Sequence, residues 1–183
     1  AGQTHIVYGV VVRDGFTLDA SAESDGNLTV YGGLGNDTIT TGAGNDWIYG
    51  GLGADILKGG LGADTYVYTK VAQSIGSSHD IIIGFDPTVD RIDLPTGISV
   101  TGIDAAINVG TLSAGSFDSD LTAALAGLNA HHAVTFTASG GDLANHIFEV
   151  IDTNGIAGYQ AGQDMVIELQ NPVAPITTPA PFI

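Results

Sequence analysis

GGLGNDTIT at residues 32–40, TGAGNDWIY at 41–49, GGLGADILK at 50–58 and GGLGADTYV at 59–67 are four copies of one nine-residue pattern in unbroken phase. Asp37, Asp46, Asp55 and Asp64 hold the sixth place, and Ile39, Ile48, Leu57 and Tyr66 the eighth. Six residues of each copy suit a glycine-rich turn and three a short strand, so two copies make one turn of a flattened coil. Copies n and n+2 then stack. Eighth-place side chains point inward, and their neighbours, such as Thr38 and Thr40, face out. The segment 23–31 keeps the phase through Gly26 and Val30 but carries Leu28 in the aspartate place, which suits a cap. A plain glycine-rich linker has no such phased Asp and apolar places.

Stacked turns bring glycine carbonyls and aspartate carboxylates together. An oxygen-rich cage of that kind favours calcium over zinc or copper, and over magnesium, which demands a tight octahedron. The wider composition agrees. Twenty Asp and Glu face only Arg13, Lys58, Lys70 and Arg91, a formal charge of −16 that repels nucleic acid and acidic membranes and calls for a cation. With 27 glycines and no cysteine, the fold relies on special backbone angles and on neither disulfides nor thiolate metal sites. No apolar run approaches the roughly 20 residues of a membrane-spanning helix. The sequence opens Ala1-Gly2-Gln3 without a methionine or signal-peptide pattern, and reads as a fragment or processed product.

The four copies resemble the nonapeptide of the repeat-in-toxin (RTX) family, Gly-Gly-x-Gly-x-Asp-x-apolar-x, carried by serralysin-type proteases, hemolysins and many type I secretion substrates. The resemblance implies an all-β-dominated fold: a right-handed parallel β-roll (β-helix) with a β-rich C-terminal cap carrying one helix. It also implies several Ca2+ ions. Loop 32–37 would share an ion with loop 50–55, through Gly32, Gly33, Gly35, Asn36 and Asp37 on one side and Gly50, Gly51, Gly53 and Asp55 on the other. Loop 41–46, with Thr41, Gly42, Gly44, Asn45 and Asp46, would pair with loop 59–64, with Gly59, Gly60, Gly62 and Asp64. Thr41 departs from the pattern as the first residue of its copy, and Ala54 and Ala63 replace the commoner Asn of the fifth place.

Four segments follow: 1–22, an N-terminal strand segment; 23–79, the calcium-binding roll; 80–170, the β-rich cap; and 171–183, a proline-rich tail. His5 to Val12 reads as a strand and, with Gly15 to Asp19, resembles the end of an FG-GAP propeller repeat. Residues 80–86 and 90–94 read as two strands around a Pro87 turn, similar to the segment that closes the roll in serralysin-like domains. In phase with the coil, Asp80 lies beside loop 59–64 and completes its ion site. Phe117, Leu121, Leu125 and Leu128 recur at helical spacing behind Ser116 as a cap, and strands are expected near 132–138, 146–152 and 165–169. Asp152, Asn154, Asp164 and the Ile156 carbonyl form a second candidate calcium site, although Gln163 stands where an EF-hand loop needs a bidentate Glu. The tail should be extended and, by resemblance, carry a type I secretion address.

No HExxH, GxSxG or phosphate-loop motif is present, so no enzyme chemistry is read in this segment. His131 and His132 are adjacent on a strand, point to opposite faces and make a poor zinc pair. The leading reading is a secreted or cell-surface calcium module that meets the type I secretion machinery during export, folds on calcium outside the cell and stabilises its parent protein. Its alternatives are a self-assembling surface-layer or adhesin segment, and the C-terminal module of a secreted hydrolase.

Overall fold

A computed structural model describes residues 4–8, 15–24 and 26–183 of the chain. The repeats build two parallel sheets that face each other. The first contains β1 (Thr4–Tyr8), β3 (Asn27–Leu34), β5 (Trp47–Leu52), β7 (Thr65–Val67) and β9 (Arg91–Asp93), side by side in that order. The second stacks β2 (Thr17–Asp19), β4 (Thr38–Thr40), β6 (Ile56–Lys58) and β8 (Asp80–Ile83). Successive copies alternate between the sheets, so Val30 pairs with Ile48 in one and Ile39 with Leu57 in the other. Each repeat strand is too short to bury anything alone. Stacked, the strands place Ile39, Ile48, Leu57 and Tyr66 in one core, each at most 1% exposed.

The coil is longer than the four copies. Residues of the 1–22 segment, expected to stand apart from the roll, form its first turn: β1 pairs in parallel with β3, and β2 with β4. Phe16 and Leu18 pack on the roll core. The rest of the expected N-terminal strand, at residues 9–12, lies outside the described residues. At the other end, β8 and β9 were assigned to the cap by sequence, yet they lie in parallel on β6 and β7 and add a further turn. Composition hides this because residues 68–79 interrupt the nine-residue phase. Their excursion is held by Gln73, whose Nε2 donates to the Gly51 carbonyl, and by Ser74, whose hydroxyl donates to the Val166 carbonyl.

Beyond the roll the second sheet simply continues. β13 (Met165–Gln170) runs parallel to β8, followed outward by the antiparallel β12 (Ile147–Ile151) and β11 (His132–Thr137) and by the two-residue β10 (Gly102–Ile103). One face of this extension prolongs the roll core through Ile151, Met165, Ile167 and Leu169. The opposite face, with Phe148, Val150 and Val166, is covered by α1 (Phe117–Ala124) through Phe117 and Leu121. The helix is shorter than the apolar stripe suggests; Leu125 and Leu128 stay buried in the turn that follows it. Ser116 does not cap it with its side chain, because its hydroxyl donates to Asp120, which also accepts the Ser113 N–H. Among the described residues no helix is long and apolar enough to cross a membrane.

The helix therefore packs on the sheet extension, and the end of the roll is closed by β13 and by the tail. Expected as a free extended segment, 171–183 instead lies along the molecule. Val173 N–H donates to the Phe85 carbonyl, Ile176 is buried in the roll core, and Phe182 bridges Ile92 in parallel. Ile92 N–H donates to the Pro181 carbonyl and Leu94 N–H to that of Ile183, so the last residues satisfy the edge of β9, which would otherwise invite pairing with another chain. Proline suits this edge because it needs no donor on its outer side.

Ile176→Ala should lower the stability of the folded protein by about 3 kcal/mol, as for other buried isoleucines truncated in a packed core. Denaturant unfolding checks this. A loss below about 0.5 kcal/mol, the range of surface substitutions, would show that the tail does not seal the roll.

Candidate metal centre

The sixth-place aspartates form two ladders, one along each edge of the roll. On one edge Phe16 N–H donates to Asp37 Oδ1 at 2.6 Å, Asp37 N–H to Asp55 Oδ1 at 2.8 Å, and Asp55 N–H to Asp80 Oδ1 at 2.9 Å. On the other, Leu28 N–H donates to Asp46 Oδ1 at 2.8 Å, Asp46 N–H to Asp64 Oδ1 at 3.0 Å, and Asp64 N–H to Asp90 Oδ1 at 3.0 Å. All six carboxylates are buried. Leu28, with no carboxylate of its own, ends the second ladder as a donor only, yet the segment 23–31 is not the cap its sequence suggests, because β1 pairs with β3 and continues the coil beyond it.

The second oxygen of the carboxylate is the informative one. Oδ2 of Asp37, Asp46 and Asp55 is buried and has no hydrogen-bond partner. Such atoms are costly unless something cationic meets them. In the copies that begin with glycine, Oδ2 turns back over that residue: a Cβ on Gly32 would overlap Asp37, and one on Gly50 would overlap Asp55. Gly51, with φ +118°, brings its Cα against the Gly33 carbonyl of the loop stacked on it. Unpartnered carboxylate oxygens in a nest of close carbonyls match the hard, all-oxygen coordination of calcium. Among the described residues no three His, Asp or Glu side chains converge on one point. Backbone carbonyls must therefore supply most ligands of any ion here, with one or two carboxylates each.

The remaining sequence-selected residues divide by what they touch. Thr41 is buried and its hydroxyl donates to the Gly59 carbonyl of the loop stacked on it. Asn36 and Asn45 point outward and accept the N–H of Ala54 and Ala63 at 3.0 Å, while Asn27 does the same for Asn45 at 2.9 Å. These amides clip loop to loop, and the copies with Ala in the fifth place are those with no further Asn rung to support. Asp80 stands over loop 50–55, not loop 59–64 as the phase suggests, because the 68–79 excursion carries it to the other edge. Asp90, absent from the sequence reading, takes the place over loop 59–64, and its Oδ2 accepts Asp86 N–H at 2.9 Å. The signal for Asp90 was Asp90-Arg91-Ile92, which repeats the Asp-x-apolar ending of each copy.

The second candidate site has a different character. Asp152 Oδ1 accepts Asn154 and Gly155 N–H and its Oδ2 accepts His131 N–H. Asp164 accepts Thr153 and Gln160 N–H, and Asn154 Oδ1 accepts Ile156 N–H. Every carboxylate oxygen of this loop already serves a backbone donor, so the loop is closed by its own hydrogen bonds and lacks the orphaned oxygens of the repeats.

Burial pushes the Asp55 carboxyl up to about 6, that of Asp64 up to about 7 and that of Asp80 up to about 8, and the neighbouring carboxylates of each ladder add to the effect. Burial raises Asp37 and Asp90 as well. Away from the loops, burial alone pushes Glu149 up to about 8, against the Thr135 hydroxyl that donates to it at 2.8 Å.

Residues 31–66 match the RTX calcium-binding nonapeptide repeat in four copies. The fold of the whole chain is similar to two solution structures from the Azotobacter vinelandii mannuronan C5-epimerase. One is the AlgE6R2 subunit, with 18% identity and TM-score 0.55, covering 97% of this chain and 91% of that one. The other is the AlgE6R3 subunit, with 18% identity and TM-score 0.50, covering 100% of this chain and 78% of that one. At this identity the likeness is one of fold. No curated protein matches the chain.

Without calcium, the raised carboxyls keep protons in the fold that the unfolded chain releases near pH 4. The fold therefore binds more protons than the unfolded chain between about pH 4 and pH 8. Its stability is greatest below that window and falls as pH rises through about 6, 7 and 8. In chelator, circular dichroism should show more β structure at pH 5 than at pH 8, also in a Glu149→Gln variant, where the ladder carboxyls and Asp164, which burial pushes up to about 6, carry the effect. Stability that rises from pH 5 to pH 8 in chelator would contradict this assignment of the charges.

Proposed function

We propose, from the four RTX calcium-binding nonapeptide repeats at residues 31–66, that this chain is the calcium-binding β-roll module of an exported bacterial protein. The RTX nonapeptide family binds calcium ions. In this reading ions lie between loops 32–37 and 50–55 and between loops 41–46 and 59–64, with Asp80 and Asp90 extending the two rows. The coil is right-handed, the hand that parallel connections favour. The single observation that carries the reading is the set of buried, unpartnered Oδ2 atoms of Asp37, Asp46 and Asp55.

The physical role follows from charge. A folded roll without cations stacks carboxylates in two buried files, and calcium replaces that repulsion with attraction, so binding energy becomes folding energy. Extracellular modules of this chemistry bind at roughly 10⁻⁴ to 10⁻³ M calcium. The chain then stays open in a low-calcium cytosol, passes a type I secretion channel and folds outside, where it stabilises the protein that carries it.

Calcium should produce a large gain in β signal by circular dichroism over the same protein in chelator at pH 8. Asp55→Asn keeps an acceptor for the Asp37 N–H but removes a charge, and should weaken calcium binding about tenfold or abolish one ion in calorimetric titration. Asp142→Asn, at an exposed turn, should leave binding unchanged. Equal titrations for the two variants would mean that the repeat loops are not the ligands.

A further inference from the structure

The outer face of the five-stranded sheet carries a second arrangement that calcium binding does not use. Parallel register aligns its outward residues in rows across the strands. One row runs Ile6, Thr29, Trp47, Thr65 and Arg91; the next contains Tyr31, Tyr49, Val67 and Asp93. Trp47 is 50% exposed and Tyr31 39% exposed. The Tyr31 and Tyr49 rings are 5.9 Å apart and tilted by 50°. With Thr29, Val67 and Thr69 these three rings line an open cleft of about 430 Å³.

Three features define what fits there. The surface is aromatic with hydroxyls between the rings, unlike the aliphatic packing of a core, so it suits a ligand with one apolar C–H face and a hydroxylated rim. The described side chains of the two rows balance one positive charge, Arg91, against one negative, Asp93, on a protein of net charge −16. A neutral strip on an acidic molecule favours an uncharged ligand and repels polyanions, including polyuronates. Finally, the strands repeat every ~4.8 Å, close to the length of one hexopyranose in an extended chain, so Tyr31 and Tyr49, paired on adjacent strands, stand at the spacing of successive sugars. We propose that this face binds an uncharged polysaccharide, with sugar rings lying on Trp47, Tyr49 and Tyr31 and Arg91 and Asp93 bonding hydroxyls at the far edge.

The proposal needs the folded roll but not the calcium reading, and the two are tested separately because circular dichroism reports the fold. Trp47 is the one tryptophan of the chain, so its emission reads this face directly. Full-length protein, folded by circular dichroism, is titrated with hexasaccharides of β-1,4-glucan, β-1,3-glucan, α-1,4-glucan and β-1,4-mannan, and with a hexauronate. At least one neutral oligosaccharide should give a saturable change in Trp47 emission, and the hexauronate none at the same concentration. Tyr49→Ala and, independently, Tyr31→Ala should weaken that binding about tenfold while the β spectrum stays intact; Thr38→Ala, on the other sheet, should not. No response to any neutral oligosaccharide, a stronger response to the uronate, or a concentration-dependent dimer that shields Trp47 would each overturn the proposal, the last in favour of a second copy of the chain.

Discussion

Along each edge of the roll, the N–H of a sixth-place aspartate donates to the carboxylate of the aspartate one coil further on, at 2.8 to 3.0 Å. That bond sets the vertical register, because a slip by one residue would leave both a buried donor and a buried carboxylate unsatisfied. It also splits the work of the two carboxylate oxygens. Oδ1 is used by the backbone, and Oδ2 of Asp37, Asp46 and Asp55 is left buried with nothing to bond. Stability and ion demand thus arise from the same side chain: the ladder that orders the coil is also the file of charge that opposes it.

The glycines follow from that constraint. A first-place side chain would collide with the returning carboxylate, as at Gly32 and Gly50. Thr41 shows the one tolerated exception, with its hydroxyl directed to the Gly59 carbonyl of the neighbouring loop. The outer Asn clips add a second, exposed ladder beside the buried one, and it tightens the turns without competing for the inner oxygens.

The ends of the coil are managed by different means. Phe16 and Leu28 donate to the first carboxylates and contribute none, so each ladder starts without an extra charge. At the far end the Tyr68 hydroxyl stands beside Asp80, and Asp90 is held by Asp86 N–H. β13 then extends one sheet while residues 181–183 cover the edge of the other. Neither sheet of the roll ends at this side in an open row of donors.

The sequence by itself determined the coil, its two-copy turn, the inward eighth-place residues and the sixth-place aspartates, because a nine-residue period repeats one local conformation and leaves little for distant contacts to decide. Asp90 and the true position of Asp80 were written only in a broken form, since residues 68–79 shift the phase and spacing alone cannot say which edge the chain returns to. Tertiary structure decided the rest. The N-terminal segment became a first coil because its strands find parallel edges already built, and α1 covered the sheet extension, not the roll, because that face held Phe148, Val150 and Val166. The proline-rich tail packed against the roll although its composition suits a free extended segment. Whether such a tail stays in solvent depends on whether an apolar edge elsewhere, here Phe85, Ile92 and Leu94, lies within its reach, and no local pattern in residues 171–183 contains that information.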